Sequence, residues 1–325
     1  MSTTSGGDGV LVRDYEPADE PGVLELMRTC LGWRAEDPNE AFFRWKHQEN
    51  PFGTSPAWVA VDQGQIVGFR AFLRWEFTDG ERVVRAVRAV DTATAASHRG
   101  RGIFRRLTEH GLAAVRAEGV DLVFNTPNDQ SRPGYLRMGW RVVGRLPVAM
   151  RPRGLRSLVT VARARQAAEI WSQPSPIGVP VDEWLDRVGP AAVHDPARDG
   201  QLVTRRTEEF LRWRYGMPDL QYRIVWTGAD PTRGTLVLRV RRRGPAQEAA
   251  ILDQLAGVPA DGRRTLGSVL RGTGADYAIW LGGQRPGPML PLPGQGPILT
   301  ARAASGSVPD RIPGWGLRLG DVELF

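Results

Sequence analysis

The sequence predicts a mixed α/β (α+β) fold: a mostly antiparallel sheet flanked by helices, present twice along the chain. Three observations carry this. Residues 58 to 94 read as three consecutive strands; the third runs into an arginine and glycine loop, a helix and a further strand; and an aromatic helix followed by strands returns after residue 208. At 325 residues the chain has the length for two domains, each able to bury a core. The expected division is a first domain over residues 1–150, a helical, proline-containing linker over 151–180 and a second domain over 181–325.

In order, Val10 to Tyr15 is a first strand, and Asp19 with Pro21 behind it starts a helix that runs to about Cys30. Glu36-Asp37-Pro38 breaks the chain, and Glu40 to His47 is a second helix. Trp58 to Val61, Ile66 to Phe77 and Arg82 to Thr94, separated by Asp62-Gln63-Gly64 and Asp79-Gly80, form a meander. The loop His98-Arg99-Gly100-Arg101-Gly102-Ile103 follows. Ile103, Leu107, Gly111, Ala114 and Val115 then share one helical face up to the stop at Gly119. A helix start presents unpaired amides and partial positive charge, and two glycines leave the backbone bare, so this loop is a candidate phosphate site. Val120 to Phe124 is a strand, followed by Asn128, Ser131, Tyr135, Gly139 and Trp140 in the spacing N-x-x-S-x-x-x-Y-x-x-x-G-W.

That order of elements and these two motifs resemble the GNAT superfamily of acetyl-CoA-dependent N-acetyltransferases. The resemblance covers about residues 10 to 150, and it implies the GNAT fold and acetyl-CoA as co-substrate. Arg99, Gly100, Arg101, Gly102, Ile103 and Phe104 match the loop that binds the CoA pyrophosphate. Tyr135 matches the tyrosine that often protonates the departing thiolate, and Asn128 and Ser131 match positions that touch the cofactor arm or cap the short helix. Phe104 stands where the family usually has Gly or Ala, which predicts a crowded helix start. A strand amide near Ala93 or Thr94 is expected to polarise the thioester carbonyl. Asp91 is the candidate for base, or for holding the amine, against pairing with nearby arginines. Arg105 and Arg106 could reach the 3'-phosphate. The implied reaction is direct transfer of an acetyl group to a primary amine of a small molecule.

The second half echoes the first. Glu209 to Pro218 repeats the sense of Ala41 to Pro51, and Tyr222 to Thr227, Thr235 to Arg241 and Ala249 to Leu255 make a second meander. A helix over Thr265 to Thr273 and a strand over Tyr277 to Leu281 follow it. The stretch Pro259 to Arg264 lacks the G-x-G loop, so this copy is expected to keep the fold without the cofactor site. Between the halves, Leu155 to Ala167 reads as a basic amphipathic helix, suited to packing on a domain or to a membrane surface. Strands are expected at Ile298 to Ala301 and Leu317 to Phe325. The doubled domain and terminal Phe are similar to tandem-domain aminoglycoside acetyltransferases of the enhanced-intracellular-survival type. That likeness implies a role for the Phe325 carboxylate as base.

The 43 basic residues include a single lysine, Lys46, and the formal charge is +7. An arginine bias of this kind is weak evidence for function, the charge suits a polyanionic cofactor, and no basic run with interleaved aromatics points to nucleic acid. One cysteine, Cys30, excludes an internal disulfide; the scattered histidines His47, His98, His110 and His194 predict no metal. No signal peptide or membrane span is read, so a cytoplasmic protein without a membrane partner is expected. Two other readings stay open: an aminoacyl-tRNA-dependent transferase of the peptidoglycan-bridge type, and a non-catalytic CoA-binding regulatory protein.

Overall fold

The computed structural model describes residues 4–5, 9–164, 166–189, 200–255, 257 and 261–323. In chain order the elements are β1 (Thr4–Ser5), β2 (Leu11–Asp14), α1 (Glu20–Leu31), α2 (Asn39–His47), β3 (Ala57–Asp62), β4 (Gln65–Thr78), β5 (Val83–Thr94), α3 (Ile103–Ala117), β6 (Leu122–Asn125), α4 (Arg132–Arg137) and β7 (Arg141–Arg145). They continue with β8 (Val148–Pro152), α5 (Leu155–Arg163), α6 (Val181–Val188), β9 (Val203–Thr204), α7 (Glu208–Gly216), β10 (Arg223–Val225), β11 (Thr235–Arg243), β12 (Ala246–Leu255), α8 (Gly262–Thr273), β13 (Tyr277–Leu281), β14 (Leu290–Pro291), β15 (Ile298–Ala303) and α9 (Leu319–Val322).

The chain forms two compact units. The first is Met1–Phe77, Val83–Val143 and Leu299–Asp310; the second is Thr78–Arg82, Gly144–Ile298 and Arg311–Phe325. The first sheet has the order β1-β2-β3-β4-β5-β6-β15-β7 and the second β10-β11-β12-β13-β8-β14. Each contains a parallel pair, β5 with β6 and β12 with β13, and helices α3 and α8 make the respective crossovers. α3 forms because its apolar residues recur on one face. Ile103, Leu107 and Val115 pack with Val67, Phe72 and Val87 of the sheet, and Gly68 makes room, since a Cβ there would sit 2.6 Å from Ile103.

These units differ from a division at residues 150 and 180, and strand pairing is the reason. β8 binds antiparallel to β13 in the second sheet, with Met150 opposite Ile279. β15, almost at the end of the chain, binds antiparallel to β6 in the first, with Thr300 opposite Asn125. The expected linker is part of the second unit: Gln173 N–H donates to Val240 O and Val179 N–H to Ile224 O.

Two further expectations are corrected. Leu319–Val322 is a helical turn instead of strand, because Asp321 Oδ2 accepts from the Arg318 N–H while its carboxylate takes the buried Arg206 guanidinium. In α5, Ser157 is buried and Val161 packs inward, but Leu155, Leu158 and Val159 face solvent. The pattern that suggested a packed face thus covers the unit only in part.

Candidate active site

The site lies in the first unit, where β5 outruns β6. The parallel register holds at Ala86/Leu122, Val87/Val123 and Arg88/Phe124, and Ala89 to Thr94 continue past the end of β6. The paired register therefore ends before the stretch that holds Asp91, Ala93 and Thr94.

The loop into α3 begins at His98, whose Nε2 lies 3.0 Å from Asp62 Oδ2 and whose Nδ1 lies 2.8 Å from Ser97 Oγ. Gly100 and Gly102 have φ of 80° and 74°, and a Cβ on either would meet nothing within 4 Å. Arg99 and Arg101 are exposed. The first turn of α3 closes with Arg106 N–H donating to Gly102 O, and among the described residues the N–H groups of Gly102, Ile103, Phe104 and Arg105 have no acceptor. Bare amides, a helix dipole and two exposed guanidinium groups together make a candidate anion site. Of the two arginines that follow, Arg105 pairs with Glu109 (2.8 Å) and Arg106 donates to Val10 O (2.6 Å), so Arg106 is turned to the body of the unit.

Phe104 does not crowd this loop. Its ring meets Tyr135 edge to face with centroids 5.3 Å apart, and Trp140 holds Tyr135 from another side at 5.1 Å. Tyr135 is 3% exposed, and its hydroxyl makes no hydrogen bond with a described residue. Gly134 is required beside it, since a Cβ there would sit 2.9 Å from Phe104. Asn128 organises the turn into α4: its Oδ1 accepts from both the N–H and the hydroxyl of Ser131. Thr94 O accepts from the Cys30 thiol.

Sequence reasoning missed Arg70. It is fully buried on β4, boxed by the rings of Phe72 (5.0 Å), Tyr135 (5.3 Å) and Phe104 (5.7 Å), and its three nitrogens have no hydrogen-bond partner among the described residues. Cation–π contacts of this kind are worth about 0.5–2 kcal/mol. Arg70 lies two positions from both Gly68 and Phe72 on β4 and shares their face of the sheet.

Asp91 has φ of 41°, in the left-handed region that few residues other than glycine adopt. Its partners are not arginines: Lys46 Nζ lies 2.8 Å and His47 Nε2 2.7 Å from Oδ2, with all three side chains nearly buried. Burial works to raise the Asp91 pKa, but the Lys46 ammonium and the His47 hydrogen bond outweigh it and hold the carboxyl well below the usual range. Burial lowers the His47 pKa against the pull of Asp91. Asp91 is thus a weak proton acceptor and a strong anchor for the end of α2. Asp91 and Tyr135 share no contact, and Phe325 lies outside the described residues, as does His194.

The His47 shift predicts a pH dependence. A depressed pKa in the fold means that the unfolded chain binds the extra proton first as pH falls through 6.5, so this contribution to stability is present above that pH and lost below it. Its slope is at most about 1.4 kcal/mol per pH unit. Urea unfolding between about pH 7.5 and 5.5 should show a shallower loss for His47→Gln than for the parent; equal slopes would contradict the assignment.

The second unit repeats the anchor without the loop. Asp253 on β12, buried, accepts from the Tyr215 hydroxyl at the end of α7 (2.9 Å) and from Arg206 and Arg318. The start of α8 is closed. Asp261 Oδ1 accepts from Arg264 N–H, and a Cβ on Gly262 would sit 2.1 Å from Pro286 O. Pro259 and Ala260 lie outside the described residues. A carboxylate and a crossing backbone stand where the first unit has its candidate anion site.

A glycine loop with positive φ at Gly100 and Gly102 heads the crossover helix α3, next to the end of the paired register of β5 and β6. The profile of the acetyltransferase (GNAT) domain matches residues 11–143, which fall largely in the first unit. Among solved structures the chain is similar in fold to a GCN5-related N-acetyltransferase from Kribbella flavida, with a TM-score of 0.62, 16% identity and coverage of 93% of this chain and 73% of that one. It is also similar to one from Anabaena variabilis, with a TM-score of 0.59, 13% identity and coverage of 91% and 73%. Comparison with curated proteins gives no match. Among the described residues no helix is long and apolar enough to cross a membrane.

Proposed function

We propose that the first unit moves an acetyl group from acetyl-CoA to a primary amine of a small molecule by direct attack. The observation that carries this is the loop Arg99 to Phe104, with two left-handed glycines facing open space and free amides behind them. It favours acetyl-CoA over an aminoacyl-tRNA donor, because it is a site for a compact diphosphate. Phe104, turned onto Tyr135, no longer argues for a non-catalytic protein.

In this reading Gly102, Ile103 and Phe104 donate to the pyrophosphate, with Arg99 and Arg101 adding charge. The acyl arm lies where β5 outruns β6, and the main chain near Ala93 and Thr94 polarises the carbonyl. Tyr135 gives its proton to the thiolate as the amine attacks. Arg70, behind the Tyr135 ring, supplies positive charge close to the sulfur on which negative charge develops. Asp91 keeps α2 and the β5 bend in place and is not the proton acceptor, which supports assigning the base elsewhere in the acceptor site.

Tyr135→Phe tests the acid. Steady-state turnover with a panel of amines should fall roughly 10²-fold or more with acetyl-CoA affinity nearly unchanged. Unchanged turnover removes Tyr135 from the mechanism.

A further inference from the structure

We propose that the second unit holds a ligand site of its own, for a neutral molecule that presents a secondary amide against an apolar flank. The site is a cavity of about 520 Å³ at the ends of β12 and β13, within the size range of small-molecule pockets. The paired register of these parallel strands ends at Ile251/Trp280, and beyond it Gln254 and Gly282 border the space.

Two polar groups point to a ligand. Trp280 is 2% exposed and its Nε1–H has no hydrogen-bond partner among the described residues; Gln254 is 6% exposed and its Oε1 has none among them either. Neither residue makes these atoms available to another described group, and both line the same cavity. Leaving a buried donor and a buried acceptor unmet is unfavourable, so a native chain retains them where something else meets them. Gly282 borders the donor: its φ is 134°, and a Cβ there would sit 3.4 Å from Trp280 Nε1.

The rest of the wall sets the ligand's chemistry. Trp315, Leu146, Ile312 and Leu317 supply aromatic and aliphatic surface. The charged group at the wall, Arg318, donates to Asp253 Oδ1, and Arg206 bridges Asp253 to Asp321. Two guanidinium groups against two carboxylates leave no charge in excess, so neither an anion nor a cation is favoured. One donor and one acceptor between apolar walls match the C=O and N–H of a secondary amide.

The probe is N-phenethylacetamide, titrated into the full chain carrying ¹⁵N-labelled tryptophan, with calorimetry in parallel. The Trp280 indole N–H resonance, identified by its loss in Trp280→Phe, should move downfield and saturate, and the charged analogue phenethylammonium should not bind. Gln254→Leu should weaken binding at least tenfold while its unfolding midpoint is not lowered, because an unmet acceptor has been removed. Gly102→Val should leave probe affinity unchanged, which separates this site from the acetyl-CoA site. An unmoved Trp280 resonance, an unaltered affinity in Gln254→Leu, or equal binding of the cation overturns the proposal. If Trp280→Phe does not fold, calorimetry with Gln254→Leu alone decides.

Discussion

Gly102→Val is expected to leave the chain folded and unable to bind acetyl-CoA. The position has a φ of 74° and opens on empty space, so the variant bears a left-handed backbone cost of roughly 1–2 kcal/mol without a clash inside the protein. The β-branched side chain would stand in front of the amides of Ile103 and Phe104. These have no acceptor among the described residues, and in the proposed function they meet the diphosphate at close range. Thermal denaturation reads this directly. At about 100 times its dissociation constant, acetyl-CoA should add roughly 2.7 kcal/mol to the parent and nothing to the variant. Gly119→Val, at the other end of α3 with a φ of 75°, carries the same backbone cost and should keep the full shift. A full shift in Gly102→Val would remove the loop from cofactor binding.

Asp91→Ala is expected to destabilise the first unit by about 3–5 kcal/mol, since it removes a carboxylate that neutralises the buried Lys46 ammonium and a residue that tolerates positive φ. Asp91→Asn should cost less, because asparagine tolerates that backbone and still accepts a hydrogen bond. Adding Lys46→Met to Asp91→Ala should recover part of the loss, as the buried ammonium goes with it. Urea unfolding followed by tryptophan fluorescence gives the comparison. An Asp91→Ala chain of parental stability would show that the pair contributes little and would reopen a catalytic role for Asp91.

Part of the candidate site was legible. The loop residues, Tyr135, Asn128 and Ser131 sit at motif spacings, and local backbone chemistry sets their geometry: glycine at positive φ, an Asn side chain bonding the turn ahead of α4. Asp91 was visible as a residue but not in its partners, because Lys46 and His47 lie more than forty positions away and only the docking of α2 brings them in. Two signals pointed there. Lys46 is the single lysine of the chain, and the repeat of Trp45-Lys46-His47 as Trp213-Arg214-Tyr215 is matched in space by Asp253 standing to Tyr215 as Asp91 stands to His47. Such a recurrence in a unit whose phosphate site is closed argues for anchoring over chemistry. Arg70 reads in sequence as an ordinary strand arginine; its enclosure follows from Phe72, Phe104 and Tyr135 converging from three elements.

By itself the sequence determined what short-range physics settles: the period of the longer helices and strands, the glycine loop, the order of the elements around it, and the return of that order after residue 208. Tertiary structure alone decided which strand completes which sheet. β8 and β15 are short extended segments whose hydrogen-bonding groups carry no address, and only the open edges of β13 and β6 select between them. Closure of the α8 start likewise depended on Pro286 and Gly287 crossing it. That contact between distant residues has no local pattern to announce it.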